Sequence, residues 1–223
     1  MFPIDADEFV QTVKPHLASQ DAGALIALLQ KNWSPHQIIE LIHGDHIDAK
    51  KVALLAASLV APVEFAPRVA EQLRDPDPII NGLAEHALWS IWFRGSDCCD
   101  AKRQVRRGCE ALNTRDFDVA LESFESALSA DPDFAEAYNQ RAICHYLEER
   151  YADSITDCKA TVKRMPCHFG AWAGMGHCLA HLGKLRQAVD SYERALEINP
   201  HLTCVSQAVA TLRRQLRKRG GEF

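Results

Sequence analysis

Ala127-Leu128-Ser129-Ala130-Asp131-Pro132, Val162-Lys163-Arg164-Met165-Pro166 and Ala195-Leu196-Glu197-Ile198-Asn199-Pro200 are the stretches that decide the fold. Each closes a helix-like run on a proline, and the prolines at 132, 166 and 200 stand 34 residues apart both times. Self-similarity at such a period marks an array of stacked supersecondary units. Counting back from each proline gives units 101–134, 135–168 and 169–202.

Other positions agree with that register. The first unit carries Gly108, Ala120, Phe124 and Ala127; the third carries Trp172, Gly176, Ala188, Tyr192 and Ala195. The middle unit keeps Tyr138 and Ala142 but has Ser154, Cys158 and Thr161 at the later places. Small residues at 108, 142 and 176 let the first helix of a hairpin approach the second, a bulky residue at 124 or 192 fills the gap, and proline stops the second helix. Over 101–202 the chain resembles tetratricopeptide repeat proteins. The run from His201 to Lys218 places Val205, Val209, Leu212 and Leu216 at helical spacing and reads as a capping helix over 203–218.

A weaker repeat precedes it. Adding 31 to Ile38, Ile42, Val52, Ala53 and Ala56 gives Val69, Leu73, Leu83, Ala84 and Ala87, every one apolar. Gly44-Asp45-His46 and Asp75-Pro76-Asp77-Pro78 read as the intervening turns. The stretch from Asp75 to Leu88 resembles the turn and second helix of a HEAT repeat. Asp5–Ser19 and Asp21–Asn32 form a divergent first pair, with Pro15 expected to kink or shorten its first helix. In Leu88–Phe93, Trp89, Trp92 or Phe93 is expected to pack against the second half of the chain, making one continuous solenoid. As a whole the chain resembles bacterial proteins that join short HEAT-like repeats to three tetratricopeptide units. The expected fold is therefore all-α, a right-handed α-solenoid of helical hairpins, with a HEAT-like region over 1–95 and a repeat domain over 101–218.

Composition narrows the function. Of 223 residues, 47% are hydrophobic and 25% charged, as in ordinary soluble domains. Residues 1–95 hold 12 acidic and 7 basic residues and residues 96–223 hold 18 of each, giving the net charge of -5. Neither half has the basic excess of a dedicated nucleic-acid binder. The one dense basic run is Arg213, Arg214, Arg217, Lys218 and Arg219. The acidic start, Met1 to Glu8, is unlike a signal peptide. The longest apolar run, Val52 to Val63, falls short of the ~20 residues a membrane span needs. Eight cysteines without a C-x-x-C pair read as free thiols in a reducing, cytoplasmic setting. Gly220-Gly221-Glu222-Phe223 echoes a cyclic-dinucleotide cyclase signature, but that signature needs an α/β domain around it and is assigned to chance. No phosphate-binding loop, dinucleotide fingerprint or nucleophile elbow is present, so no enzyme activity and no cofactor are expected.

The resemblance implies a groove lined by the first helix of each unit. Its expected lining is Lys102, Val105, Arg106, Cys109, Glu136, Asn139, Gln140, Ile143, Gly170, Ala173, Gly174, His177 and His181. Some eukaryotic co-chaperones grip a peptide's terminal carboxylate in such a groove with cationic and amide side chains. The five matching places here are Val105, Cys109, Gln140, Gly170 and Gly174, none cationic, which argues against chaperone tails as ligands. Gly170 and Gly174 either let a ligand backbone approach or only let hairpins pack closely; both readings stay open. His177 and His181, four apart, have the spacing of a shared metal ion, yet two polar residues on a solvated wall is the commoner case and no metal is assigned. Cys144, Cys158 and Cys178 read as packing residues, and Cys98-Cys99 as an exposed pair or an oxidation sensor. Arg107 and Arg141 stand where leucine is usual, so each either finds a carboxylate or reaches out to water.

The leading expectation is a non-enzymatic scaffold that binds another protein or peptide. The alternative is a nucleic-acid-binding or DNA-acting HEAT-like solenoid, with Trp33, Trp89 and Trp92 stacking bases. A third is self-assembly, the basic last helix docking on a neighbour's acidic first half.

Overall fold

A helix leaves its first amides without partners, and this chain places a capping side chain at most of its helix starts. Asp5, Asp21, Asp77 and Asp116 accept amides of the first turn, and Ser34 with Gln37 forms a reciprocal capping box. The computed structural model describes residues 4–19 and 21–218. The first three residues of the acidic start, Arg219 of the basic run and Gly220-Gly221-Glu222-Phe223 lie outside the described residues. Among those described, all regular structure is helical. The chain divides into two compact units, Met1–Arg94 and Gly95–Phe223.

The first unit contains α1 (Ala6–Ala18), α2 (Ala22–Asn32), α3 (Pro35–His43), α4 (Ile47–Val60), α5 (Ala66–Ala70) and α6 (Pro78–Phe93). Helix α4 is its centre, packed on α1, α2, α3 and α6. The ten apolar positions related by 31 residues explain this: nine are buried and Leu83 is half-buried. The segment before α6 is less regular than the period suggests. Its α-helix is five residues long and lies between 3-10 turns at Val63–Phe65 and Glu71–Arg74. Pro67 falls in the first turn of that short helix, where a missing amide is tolerated. Pro15 lies inside α1, which ends at Ala18. Past the end of α6, the Arg94 guanidinium donates to the carbonyls of Ser58, Ala57 and Ala61 around the C-terminus of α4, where Ala57 also accepts the Ala61 amide.

The second unit contains α7 (Cys99–Asn113), α8 (Phe117–Ala130), α9 (Ala135–Leu147), α10 (Tyr151–Arg164), α11 (Phe169–His181), α12 (Leu185–Ile198) and α13 (Thr203–Lys218). Within each hairpin the turn follows one design. Arg115, Glu149 and Gly183 adopt positive φ of 59°, 60° and 72°. The next residue's amide reaches back to Ala111, His145 and Leu179 at 2.9, 2.8 and 2.9 Å. This is the Schellman closure, which ties off a helix with one left-handed residue. It recurs every 34 residues, and only its third copy uses the glycine that the conformation favours.

Hairpin packing is set by paired sizes. At Gly176 a Cβ would stand 2.5 Å from the Tyr192 ring, and at Gly108 it would stand closer still to Phe124. The middle hairpin exchanges the sizes, with Ala142 on α9 and Cys158 on α10, each 2% exposed. Helix α13 buries Val205, Val209, Leu212 and Leu216 against the third hairpin, as its spacing predicts.

Candidate partner-binding groove

Helices α7, α9 and α11 are neighbours in the second unit. The 34-residue period therefore makes rows across them: 102, 136, 170; 105, 139, 173; 106, 140, 174; 109, 143, 177; and 113, 147, 181. Of the thirteen expected lining residues, Arg106, Ile143, His177 and His181 are exposed, and Lys102, Cys109, Gly170, Ala173 and Gly174 are half-buried. The structure departs from the expected lining at four places: Val105, Glu136, Asn139 and Gln140 are buried.

The reason at three of the four is a polar knot that the sequence did not announce. Glu136 accepts hydrogen bonds from Asn139 Nδ2 at 3.1 Å and Gln140 Nε2 at 2.6 Å through Oε1, and from His168 Nε2 at 3.0 Å through Oε2. His168 Nδ1 in turn accepts the Ala171 amide at 3.0 Å, capping α11. That acceptor role puts the ring proton on Nε2, the atom facing Glu136. The side chains of Glu136 and His168 are both 0% exposed. A satisfied buried network of this kind fixes one hairpin against the next. Its members on α9 are spent inward.

Arg141 resolves the question of the two unusual arginines. Its Nε and NH2 donate to the two oxygens of Asp157 on α10, both at 2.8 Å. His145 Nε2 lies 3.7 Å from the same carboxylate, and its Nδ1 has no hydrogen-bond partner. Burial, followed by the Arg150 charge, holds His145 below its ordinary value. Arg107 is exposed and takes the solvent-facing option.

An aromatic and imidazole cluster joins the second and third hairpins. Tyr192 OH and His177 Nδ1 are 2.7 Å apart, and Tyr146 OH and His181 Nε2 are 3.2 Å apart. Tyr151 stacks on His181 with centroids 4.6 Å apart and planes 13° from parallel. Burial and then the neighbouring His181 depress His177, while burial pushes Tyr192 up to about 12. A buried phenol held protonated donates, so His177 Nδ1 accepts and its Nε2 carries the proton. Among the described residues no group of three or more His, Cys, Asp or Glu comes together as metal ligands would.

Sequence reasoning missed Leu147. Ile143 and Leu147, one turn apart on α9, are 40% and 44% exposed, large apolar side chains facing water. Leu147 holds the row position of His181, so the period itself pointed to it. Gly174 has room for a methyl group, its Cβ position being 3.5 Å from Cys158 Sγ. Cys144, Cys158 and Cys178 are buried, and burial raises all three thiols, Cys158 to about 12. Cys98 caps α7 and Cys99 is exposed. Two of the tryptophans offered for base stacking are buried or half-buried against each other, Trp89 and Trp92 with centroids 5.1 Å apart, and Trp33 meets Phe9 edge-on at 4.9 Å.

Known proteins share this architecture. Models of the tetratricopeptide repeat match residues 105–166 and 170–202, and both stretches are repeats of that type. A TPR repeat-containing protein of Rhizobium etli is 31% identical over 91 residues, covering 41% of this chain and 45% of that protein. The Protein SGT1 homolog of Bos taurus is 32% identical over 99 residues, covering 44% of this chain and 29% of its own length. The chain thus spans less than half of either relative. Among solved structures, the first TPR of Spaghetti (RPAP3), bound to the HSP90 peptide SRMEEVD, superposes with a TM-score of 0.53 at 22% identity, over 54% of this chain and 96% of that one. The Sgt2 TPR domain of Aspergillus fumigatus gives 0.52 at 16% identity, over 55% and 83%. At these identities the likeness is one of fold.

Proposed function

We propose that the chain is a non-enzymatic scaffold that holds a segment of another protein against α7, α9 and α11. The observation that carries this reading is the exposed pair Ile143 and Leu147 on α9, a first helix of the kind that stacked hairpins turn toward a groove. Exposed apolar side chains grouped on one helix face mark an interaction surface more than they serve solubility. The TPR of Spaghetti holds a peptide in its solved structure; the ligand proposed here is of the same general kind, an extended or helical segment. Lys102, Arg106, Cys109, Gly170, Ala173, Gly174, His177 and His181 complete the proposed contact face around Ile143. We read the first unit as HEAT-like support, since its 31-residue relation falls on buried residues. A cytoplasmic setting is favoured by eight cysteines that are all free.

The test is selection of peptides from a random displayed library on the wild-type chain, followed by rebinding to an Ile143→Glu/Leu147→Glu variant. Loss of at least ten-fold in affinity for the selected peptides is expected. Peptides that bind both proteins alike would show that the contact face lies elsewhere. A gel shift with single- and double-stranded DNA at low salt addresses the alternative, and tight binding that weakens steeply with salt would favour it.

A further inference from the structure

His177 and His181, both exposed, differ from the buried histidines of this unit. His145 and His168 each have a carboxylate within ion-pair distance, Asp157 at 3.7 Å and Glu136 at 3.0 Å. His177 and His181 have phenols instead, Tyr192 and Tyr146. The groups that face them are Tyr146 from α9, Tyr151 from α10, Tyr192 from α12, and each other along α11. Glu149, in the turn before Tyr151, acts on the Tyr151 phenol but forms no ion pair with either imidazole. A proton taken up by His177 meets no compensating charge, and the His181 imidazole one turn away opposes it.

The row positions make this matter. His177 holds the row position of Ile143 and His181 that of Leu147, so the apolar strip runs toward the His177 ring. At the other end, Lys102 and Arg106 form no ion pair among the described residues. A segment that fits has apolar side chains over Ile143 and Leu147 and a carboxylate toward Lys102 and Arg106. Resting on the scaffold reading above, we infer that this face takes an apolar segment with an acidic end only while His177 is neutral, so that proton uptake there releases the partner.

Magnitudes settle the direction. Helix axes in packed hairpins are about 8–10 Å apart, so the acidic end is roughly two such steps, about 18 Å, from the imidazoles. The screening length in physiological salt is about 8 Å. Attraction between imidazolium and that carboxylate is therefore screened away. The cost of covering a newly charged ring with apolar side chains is local and is not screened.

The probe is a fluorescent 12-residue peptide, the tightest binder from a synthetic set carrying two leucines and one glutamate at varied spacing. Anisotropy titrations use the full chain at pH 7.5 and 5.5. We expect wild-type affinity to fall at least five-fold at the lower pH, and the fall to vanish in His177→Gln. Because Tyr192 loses its partner in that variant, Tyr192→Phe is the second arm, which removes the same hydrogen bond and is expected to keep the fall. By linkage, peptide binding must also move the His177 ring proton signals to titrate at lower pH. If no peptide of the set loses affinity in Ile143→Glu, the scaffold reading fails and takes this inference with it. If Ile143→Glu abolishes binding but the wild-type affinities at the two pH values agree within two-fold, or His177→Gln keeps the fall, or Tyr192→Phe loses it, the proton gate alone is overturned.

Discussion

Gly176 lies so close beneath the Tyr192 ring that a methyl group on its Cα would stand 2.5 Å from two ring carbons. The ring is 2% exposed and holds its hydroxyl against His177, so it has nowhere to retreat. Gly176→Ala should cost about 1–3 kcal/mol, the usual range for overpacking. Gly174→Ala, two residues away with ordinary van der Waals room, should be neutral or stabilising by up to about 1 kcal/mol through helix propensity. Urea midpoints of the two variants decide it, and equal losses would contradict the packing described.

The three Schellman turns give a second contrast. Arg115 and Glu149 adopt a conformation that costs a residue with a Cβ roughly 1–2 kcal/mol. Glycine avoids that cost but has more unfolded-state freedom to lose, worth about 0.4–1 kcal/mol. Glu149→Gly should therefore stabilise by about 0.5–1 kcal/mol, and Gly183→Ala should destabilise by a similar amount. Thermal melts of both variants check the opposite signs.

The Arg141 and Asp157 pair is unevenly buried, with side chains 21% and 5% exposed. Removing the arginine strands the more buried charge, so Arg141→Leu should cost about 3 kcal/mol. Arg141→Leu/Asp157→Leu leaves no stranded charge and should return to within about 1 kcal/mol of wild type. A double-mutant cycle in urea reads the coupling directly, and additive losses would mean the pair is not coupled.

Acid should weaken the middle hairpin through His145. Its folded-state value lies below the ordinary 6.5, held there by burial and then by Arg150. The unfolded chain thus takes up the proton first, and stability is lost as pH falls through about 6.5 toward the depressed folded value. Denaturation midpoints between pH 7.5 and 5.5 should decline less in His145→Gln than in wild type. A parallel decline in both would assign the effect elsewhere.

Thiol chemistry should follow burial. Cys99 and Cys204 are exposed, whereas Cys144, Cys158 and Cys178 are buried with raised values. Mass spectrometry after brief alkylation should find label on Cys99 and Cys204 in the native chain and on the buried three only after unfolding.

The second unit was legible because its evidence is periodic. Pro132, Pro166 and Pro200 set a register from which the hairpins and the capping helix followed. The first unit was legible as buried positions more than as elements. Between Val69 and Leu73 the backbone changes from α-helix to a 3-10 turn, since periodicity reports which side faces inward and not whether the backbone is continuous. In the candidate groove the period sets the rows, but exposure does not follow it at Val105, Glu136, Asn139 and Gln140, which are buried. Glu136, Asn139 and Gln140 turned inward because His168, 32 residues away from Glu136, supplies the donor. A partner at that distance has no local pattern to betray it. Arg141 was flagged by its residue type, and its partner Asp157 could be found only across the hairpin.

The exchange of sizes at Ala142 and Cys158 bears on how this unit could be re-engineered. Its hairpins share a length and a turn yet are not interchangeable halves. Set α9 opposite α12, and the Ala142 methyl would meet the Tyr192 ring; set α11 opposite α10, and Gly176 would face the smaller Cys158 across a void. Shuffled or extended arrays built from this chain must therefore move two helices as one cassette, and a library that recombines single helices will yield mostly misfits.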